Sequence, residues 1–174
     1  MKHIMLDIET MGNKSYSAIV SIGAVKFNIE TGETGETFYK NIELQSSLNA
    51  GLEINADTLM WWLQQNEEAR KKLIENTAPL KEVLEDFAKF SSTDYQIWGN
   101  SARFDLGLLQ NAYNRLNIPI CWDFRKERCV RTLVSFAPEV KENTEFKGIT
   151  HNALSDCYHQ IKYCSEIYKK LKIE

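Results

Sequence analysis

This chain lacks several of the signatures that assign a class at once. It has only three prolines and no proline- or serine-rich stretch, so nothing in it reads as a linker between domains. No internal repeat or low-complexity tract interrupts it. Its four cysteines, Cys121, Cys129, Cys157 and Cys164, never fall in a C-x-x-C pair, which argues against both a zinc site and a disulfide framework. They read as reduced thiols, and the expected compartment is the cytoplasm. No apolar run approaches membrane-spanning length, and Asp7 comes too early for a secretory leader. There is no excess of positive charge either. Lys and Arg number 21 against 24 Asp and Glu, a formal net charge of −3, which excludes a protein that coats nucleic acid by general electrostatics. An enzyme whose bound metals supply local positive charge is still allowed.

What is present is ordinary globular material: 174 residues, 43% hydrophobic and 26% charged. That suffices for a single domain over residues 1–174 with a sizeable core. His3–Glu9 reads as a short apolar strand. Ala18–Phe27 (AIVSIGAVKF) is rich in Val and Ile and reads as a strand buried on both faces. The turn residues of Glu30–Glu36 (ETGETGE) join it to Thr37–Ile42 as a hairpin. Asn55 is placed to cap a helix with Leu59, Trp62 and Leu63 on one face. Pro79 suits the first turn of another, whose stripe is Leu80, Val83, Leu84, Phe87 and Phe90. Tyr95–Trp98 is a short strand. The next helix carries Leu108, Leu109, Ala112, Tyr113 and Leu116, and a last long helix from about Asn152 turns Leu154, Cys157, Ile161, Cys164 and Tyr168 inward. Strands first, then alternating helix and strand, point to an α/β domain with a mixed sheet.

Four carboxylates and one histidine stand out against this frame. Asp7 and Glu9 (MLDIETMG) lie at i and i+2, on one face of a strand. Two such groups repel each other and resist burial unless a divalent cation lies between them. A lone D-x-E also fits a strand end with its polar face in water. Asp105 (NSARFDLGLL) lies three and four residues before Leu108 and Leu109, hence on the apolar side of its helix, where it is a ligand or an N-terminal cap. His151 and Asp156 (THNALSDC) are five apart, a spacing that points them in different directions on one helix. A helix starting just after His151 resolves the conflict: Asp156 then projects from it and His151 reaches in from the loop. An imidazole there can take a proton from water. His159 reads as structural or surface, and His3 has no evident partner.

The order of these motifs resembles the DEDDh exonucleases of the DnaQ-like, ribonuclease H-like superfamily. DIET matches the first motif, NSARFD the second and HNALSD the third, so the likeness runs from Asp7 to Asp156. It is nearest to small phage DexA-like exonucleases and related bacterial exoribonucleases, which the TLMWWLQQ segment also resembles. The resemblance implies a ribonuclease H-like fold, a mixed central β-sheet flanked by α-helices. It implies 3′–5′ exonuclease activity that releases nucleoside 5′-monophosphates. Asp7, Glu9, Asp105 and Asp156 would hold two Mg²⁺ or Mn²⁺ ions about 4 Å apart, which suits oxygen donors and hard cations. One ion would sit among Asp7, Glu9 and Asp156, the other on Asp7 with Asp105 acting through water. His151 would be the general base. Thr10, Met11, Phe104 and Trp61 would touch the terminal nucleotide, Met11 as a wedge and Trp61 as a stacking surface, while Trp62 reads as core. The basic stretch FRKERCVR contacts phosphates in one reading and is a solvated loop in the other.

The implied partner is a DNA or RNA 3′ end, single-stranded DNA on the phage likeness, with RNA as the alternative and no membrane involved. A homodimer stands among the assemblies open to such a chain. A ribonuclease H-type endonuclease and a non-catalytic nucleic-acid-binding module are the competing readings. The second would be expected to have lost an acid or the histidine.

Overall fold

The computed structural model describes residues 1–173, so Glu174, the end of the expected 1–174 domain, lies outside the described residues. The strands are β1 (His3–Thr10), β2 (Ile19–Phe27), β3 (Thr34–Ile42), β4 (Thr77–Ala78), β5 (Gln96–Gly99) and β6 (Glu127–Cys129). The helices are α1 (Leu44–Asn49), α2 (Ala56–Gln64), α3 (Glu67–Ile74), α4 (Leu80–Phe90), α5 (Ala102–Arg115), α6 (Val130–Val134), α7 (Pro138–Glu142) and α8 (Ala153–Ile173). The strands form one sheet in the order β4-β3-β2-β1-β5-β6. β1, β2 and β3 are an antiparallel meander, β5 joins β1 in parallel, and β4 and β6 are short parallel edges. This is the mixed α/β sheet with flanking helices that the sequence led us to expect. None of the described helices is long and apolar enough to cross a membrane.

The period-two alternation of β1 divides the core. Ile4, Leu6 and Ile8 point to one face, where Leu80, Val83, Leu84 and Phe87 of α4 and Leu109, Ala112 and Tyr113 of α5 complete a large cluster. Met5 points to the other, packed with Cys157, Ile161, Cys164 and Ile167 of α8. Asp7 and Glu9 share the α8 face. β2 is buried on both sides, as its continuous apolar run implied.

Three expectations shift. β3 begins at Thr34 rather than Thr37, because the turn is tighter than its composition suggested: Asn28 N donates to Glu33 O, and Gly32 takes the positive φ of 80° that closes it. His3 does have a partner, since its Nδ1 accepts from Trp98 Nε1 at 3.0 Å, and burial pushes its pKa down to about 4. The third concerns α2. Asn55 caps it as expected, accepting from Thr58 N at 3.0 Å, but the face of Leu59, Trp62 and Leu63 is not buried as a unit. Only Trp62 is buried, while Leu59 and Leu63 are 38% and 55% exposed. The helix lies across the end of β1 and touches the body mainly through one side chain, Trp62, whose Nε1 donates to Thr10 O at 3.0 Å.

Candidate active site

The site forms where the C-terminal end of β1 meets the start of α8. Asp7 pairs with Gly23 across the β1–β2 ladder. A Cβ on Gly23 would lie 2.5 Å from the carbonyl carbon of Ala153 and 2.6 Å from the Leu154 nitrogen. The missing side chain lets the first turn of α8 rest directly on the sheet, which brings Asp156 to the β1 carboxylates. Asn152 caps that turn, its Oδ1 accepting from Ser155 N at 3.1 Å. Oxygen atoms of Asp7, Glu9 and Asp156 all lie within 4.8 Å of one another, and each residue keeps part of its surface open. The register of β1 shifts between Glu9 and Thr10, a bulge that ends regular pairing at the site.

Asp105 stands beside this trio but outside it. It is buried, and its Oδ2 accepts from Ser101 N at 3.0 Å. Gly99 makes room for it, since a Cβ there would stand 3.0 Å from the Asp105 carboxylate. Of the two sequence readings of Asp105, the cap is the one with a bond in the structure. It caps its helix, and its charge acts on Asp7 and Glu9.

Burial raises all four acids, and repulsion from their neighbours adds to it for Asp7 and Glu9. Asp7 is pushed well above the usual carboxylate range, by burial first and then by Asp105, Glu9 and Asp156, with a hydrogen bond from Gln160 opposing. Glu9 rises to about 8, by burial and then Asp156 and Asp105. Asp105 and Asp156 rise to about 6, in both cases through burial, while backbone hydrogen bonds pull the other way. A cluster that resists ionising when empty and offers only oxygen donors fits a hard divalent cation. The raised folded-state values favour the protonated acids. Their contribution to stability is complete below the ordinary values of 3.8 and 4.5 and is lost as pH rises through about 6 and then about 8. The melting temperature of metal-free protein should fall across that window, and millimolar Mn²⁺ should remove most of the fall. A melting temperature independent of pH in EDTA would count against this electrostatic account.

His151 precedes α8, off the helix, as the five-residue spacing required. Its φ of 59° puts it in the left-handed region, uncommon for a residue with a side chain. The imidazole stands edge-on to Trp61, with centroids 4.8 Å apart, and to Trp62 at 6.2 Å. Since Trp62 is bonded to Thr10 O, this contact ties His151 to the end of β1. A second tie comes from Asn152 Nδ2, which donates to the Tyr39 hydroxyl at 3.0 Å.

The other expected residues are placed less uniformly. Trp61 is 41% exposed beside His151. Phe104 is half-buried on the core and adjoins Asp105. Thr10 is buried, its hydroxyl donating to Gly12 O at 2.6 Å. Met11 packs into the core at 6% exposure, so it underlies the site rather than projecting from it as a wedge. Of the basic stretch, Lys126 donates to Thr93 O and Arg128 to the carbonyls of Arg125 and Glu127, while Arg131 faces the Asp105 side.

Sequence reasoning missed Gln160, whose Nε2 donates to Asp7 Oδ1 at 2.8 Å. Its position four after Asp156, on the same helix face, was the available signal. Tyr39, Gly23 and Gly99 carry no such signal, because each acts on a residue distant in sequence.

Comparison with known proteins bears on family and fold. The family model described as the Rv2179c-like 3′–5′ exoribonuclease domain matches residues 2–168. The comparison with curated proteins yields no match. Among solved structures, Escherichia coli exonuclease I in its zinc-bound complex with single-stranded DNA superposes with a TM-score of 0.67 at 15% identity, over 99% of this chain. The chain spans 41% of that protein. Schizosaccharomyces pombe Pop2p, in its Mg²⁺- and Mn²⁺-bound form, gives 0.69 at 12% identity, covering 97% of this chain and 83% of that one. A 3′-exonuclease that recognises the histone mRNA stem-loop gives 0.65 at 12% identity, covering 96% and 81%. At these identities the likeness is one of fold, a mixed sheet flanked by helices.

Proposed function

We propose, for a chain that belongs to the family of Rv2179c-like 3′–5′ exoribonuclease domains, a histidine-assisted, metal-dependent hydrolysis of single-stranded nucleic acid from its 3′ end. The family makes it a 3′–5′ exonuclease with nucleic acid as its partner. The finer reading rests on one observation: three carboxylates from β1 and α8 lie within 4.8 Å of one another, and His151, just ahead of α8, is in ring contact with two indoles, one of them bonded to the end of β1. RNA is the favoured substrate because the family description names it, with single-stranded DNA as the other arm of the test.

Asp7, Glu9 and Asp156 would hold one Mg²⁺ or Mn²⁺, and Asp7 a second with Asp105 acting through water. When bound, such ions supply a water acidic enough to attack at neutral pH and offset charge on the leaving oxygen. His151 would take the proton from the attacking water. Oxygen from water joins the phosphorus, the P–O3′ bond breaks, and the shortened strand keeps the 3′-hydroxyl while the released nucleotide keeps the 5′-phosphate. Trp61 gives the terminal base a ring to stack on, worth about 1–3 kcal/mol. Thr10 borders the same nucleotide, and Phe104 the strand on the Asp105 side.

A product ladder tests this. With 5′-labelled RNA, single-stranded DNA and duplex DNA in Mg²⁺ or Mn²⁺, stepwise shortening from the 3′ end is expected, fastest on RNA. Internal fragments would favour an endonuclease instead. Gln160 gives a narrower check. Gln160→Leu removes the donor to Asp7 and should weaken Mn²⁺ binding by roughly 10–100-fold, with much of kcat regained at saturating metal. An unchanged Mn²⁺ isotherm would show that Gln160 does not orient Asp7.

A further inference from the structure

A cleft of about 520 Å³ opens beside Asp105, on the opposite side of β1 from His151. The sheet order sets this out: β1 lies between β2 and β5, so the loop that Tyr39 pins is on one flank and the start of α5 on the other. One wall is the loop that follows β1, with Lys14 and Tyr16. The other is the first turns of α5, with Ser101, Arg103 and Phe104, and Arg131 closes the end. The two walls are fastened together by Asn111 Nδ2, which donates to Ser15 O at 2.6 Å. Ser101 is also the residue whose amide bonds Asp105, so the cleft begins where the carboxylates end.

Its charge differs from that of the chain as a whole. Every charged side chain lining it is positive (Lys14, Arg103 and Arg131), in a protein of net charge −3. All three are exposed. Three cations with no lining acid, next to an acidic cluster that would repel a polyanion, are what a nucleic-acid backbone needs in order to approach. Tyr16 is 40% exposed there and offers a ring for a base.

We propose that this cleft binds the strand 5′ of the cleaved bond, with Lys14, Arg103 and Arg131 pairing with its phosphates. The terminal nucleotide lies towards Trp61 and His151, and the remainder of the strand leaves over Asp105 towards Arg131. This rests on the exonuclease reading above and adds to it the direction of the strand.

The test is binding rather than turnover. A short fluorescein-labelled single strand is titrated in EDTA, where no hydrolysis proceeds, and anisotropy is followed across a range of salt. R103A/R131A should weaken binding tenfold or more and flatten the dependence of log Kd on log salt by about 1.4, because each phosphate of a single strand that an arginine neutralises adds roughly 0.7 to that slope. R103K/R131K should keep most of the slope. K81A/K89A, which removes two cations from α4, controls for net charge. A slope unchanged in R103A/R131A, or an equal weakening in K81A/K89A, overturns the proposal. Hydrolysis of p-nitrophenyl thymidine 5′-phosphate by the unaltered protein, a substrate without an upstream phosphate, tests the exonuclease reading separately.

Discussion

Asp7→Asn should abolish hydrolysis, by at least about a thousandfold, while raising the melting temperature of the metal-free protein. Both effects come from the same carboxylate. Asp7 belongs to the trio with Glu9 and Asp156, and the charge of Asp105 acts on it. A lost metal ligand removes several kcal/mol of transition-state stabilisation, and a thousandfold corresponds to about 4 kcal/mol. Asn is nearly isosteric and can still accept from Gln160, so the fold has little reason to change. What it removes is a charge that burial and three neighbouring acids disfavour. Kinetics with a 5′-labelled oligonucleotide and a thermal melt in EDTA read the two effects independently. Near-normal hydrolysis would show the metal assignment to be wrong, and a lowered melting temperature would show that Asp7 is structural.

His151→Ala should slow the reaction by roughly 10²–10⁴-fold, the usual worth of a positioned general base, and leave Mn²⁺ binding close to its original strength. The separation is expected because the histidine is held by ring contacts with Trp61 and Trp62, whereas the compact oxygen cluster consists of Asp7, Glu9 and Asp156. Isothermal titration with Mn²⁺ beside the kinetics distinguishes the two roles. If the metal affinity of His151→Ala fell as far as that of Asp7→Asn, His151 would be a ligand and another group would have to take the proton. Trp61→Ala offers a milder companion, since it removes the nearer of the two rings that orient the imidazole.

The sequence was most legible where local rules decide. Residues i and i+2 of a strand share a face, so alternation alone pairs Asp7 with Glu9. The five-residue gap between His151 and Asp156 placed the helix start between them, and α8 begins at Ala153. The apolar stripes of α4 and α5 lie where their spacing put them. It was least legible where one element meets the end of another. The exposure of Leu59 and Leu63 could not be inferred from α2, because a helix that crosses the end of a strand buries less than one lying over the sheet. Met11 reads as a wedge in sequence and lies in the core because the chain turns beneath the site.

Composition, strand alternation and motif spacing by themselves determined the mixed α/β class, the shared face of Asp7 and Glu9 and the separation of His151 from the helix, because each depends on residues a few positions apart. Only the tertiary structure decided that three of the four acids form a compact trio while Asp105 caps its own helix, and that Gly23 lets α8 close onto the sheet. Only it decided that Lys14, Arg103 and Arg131 meet around one cleft. Those relations join residues far apart in the chain, and whether two charges help or oppose each other depends on the distance between them and the water excluded around them, which packing sets.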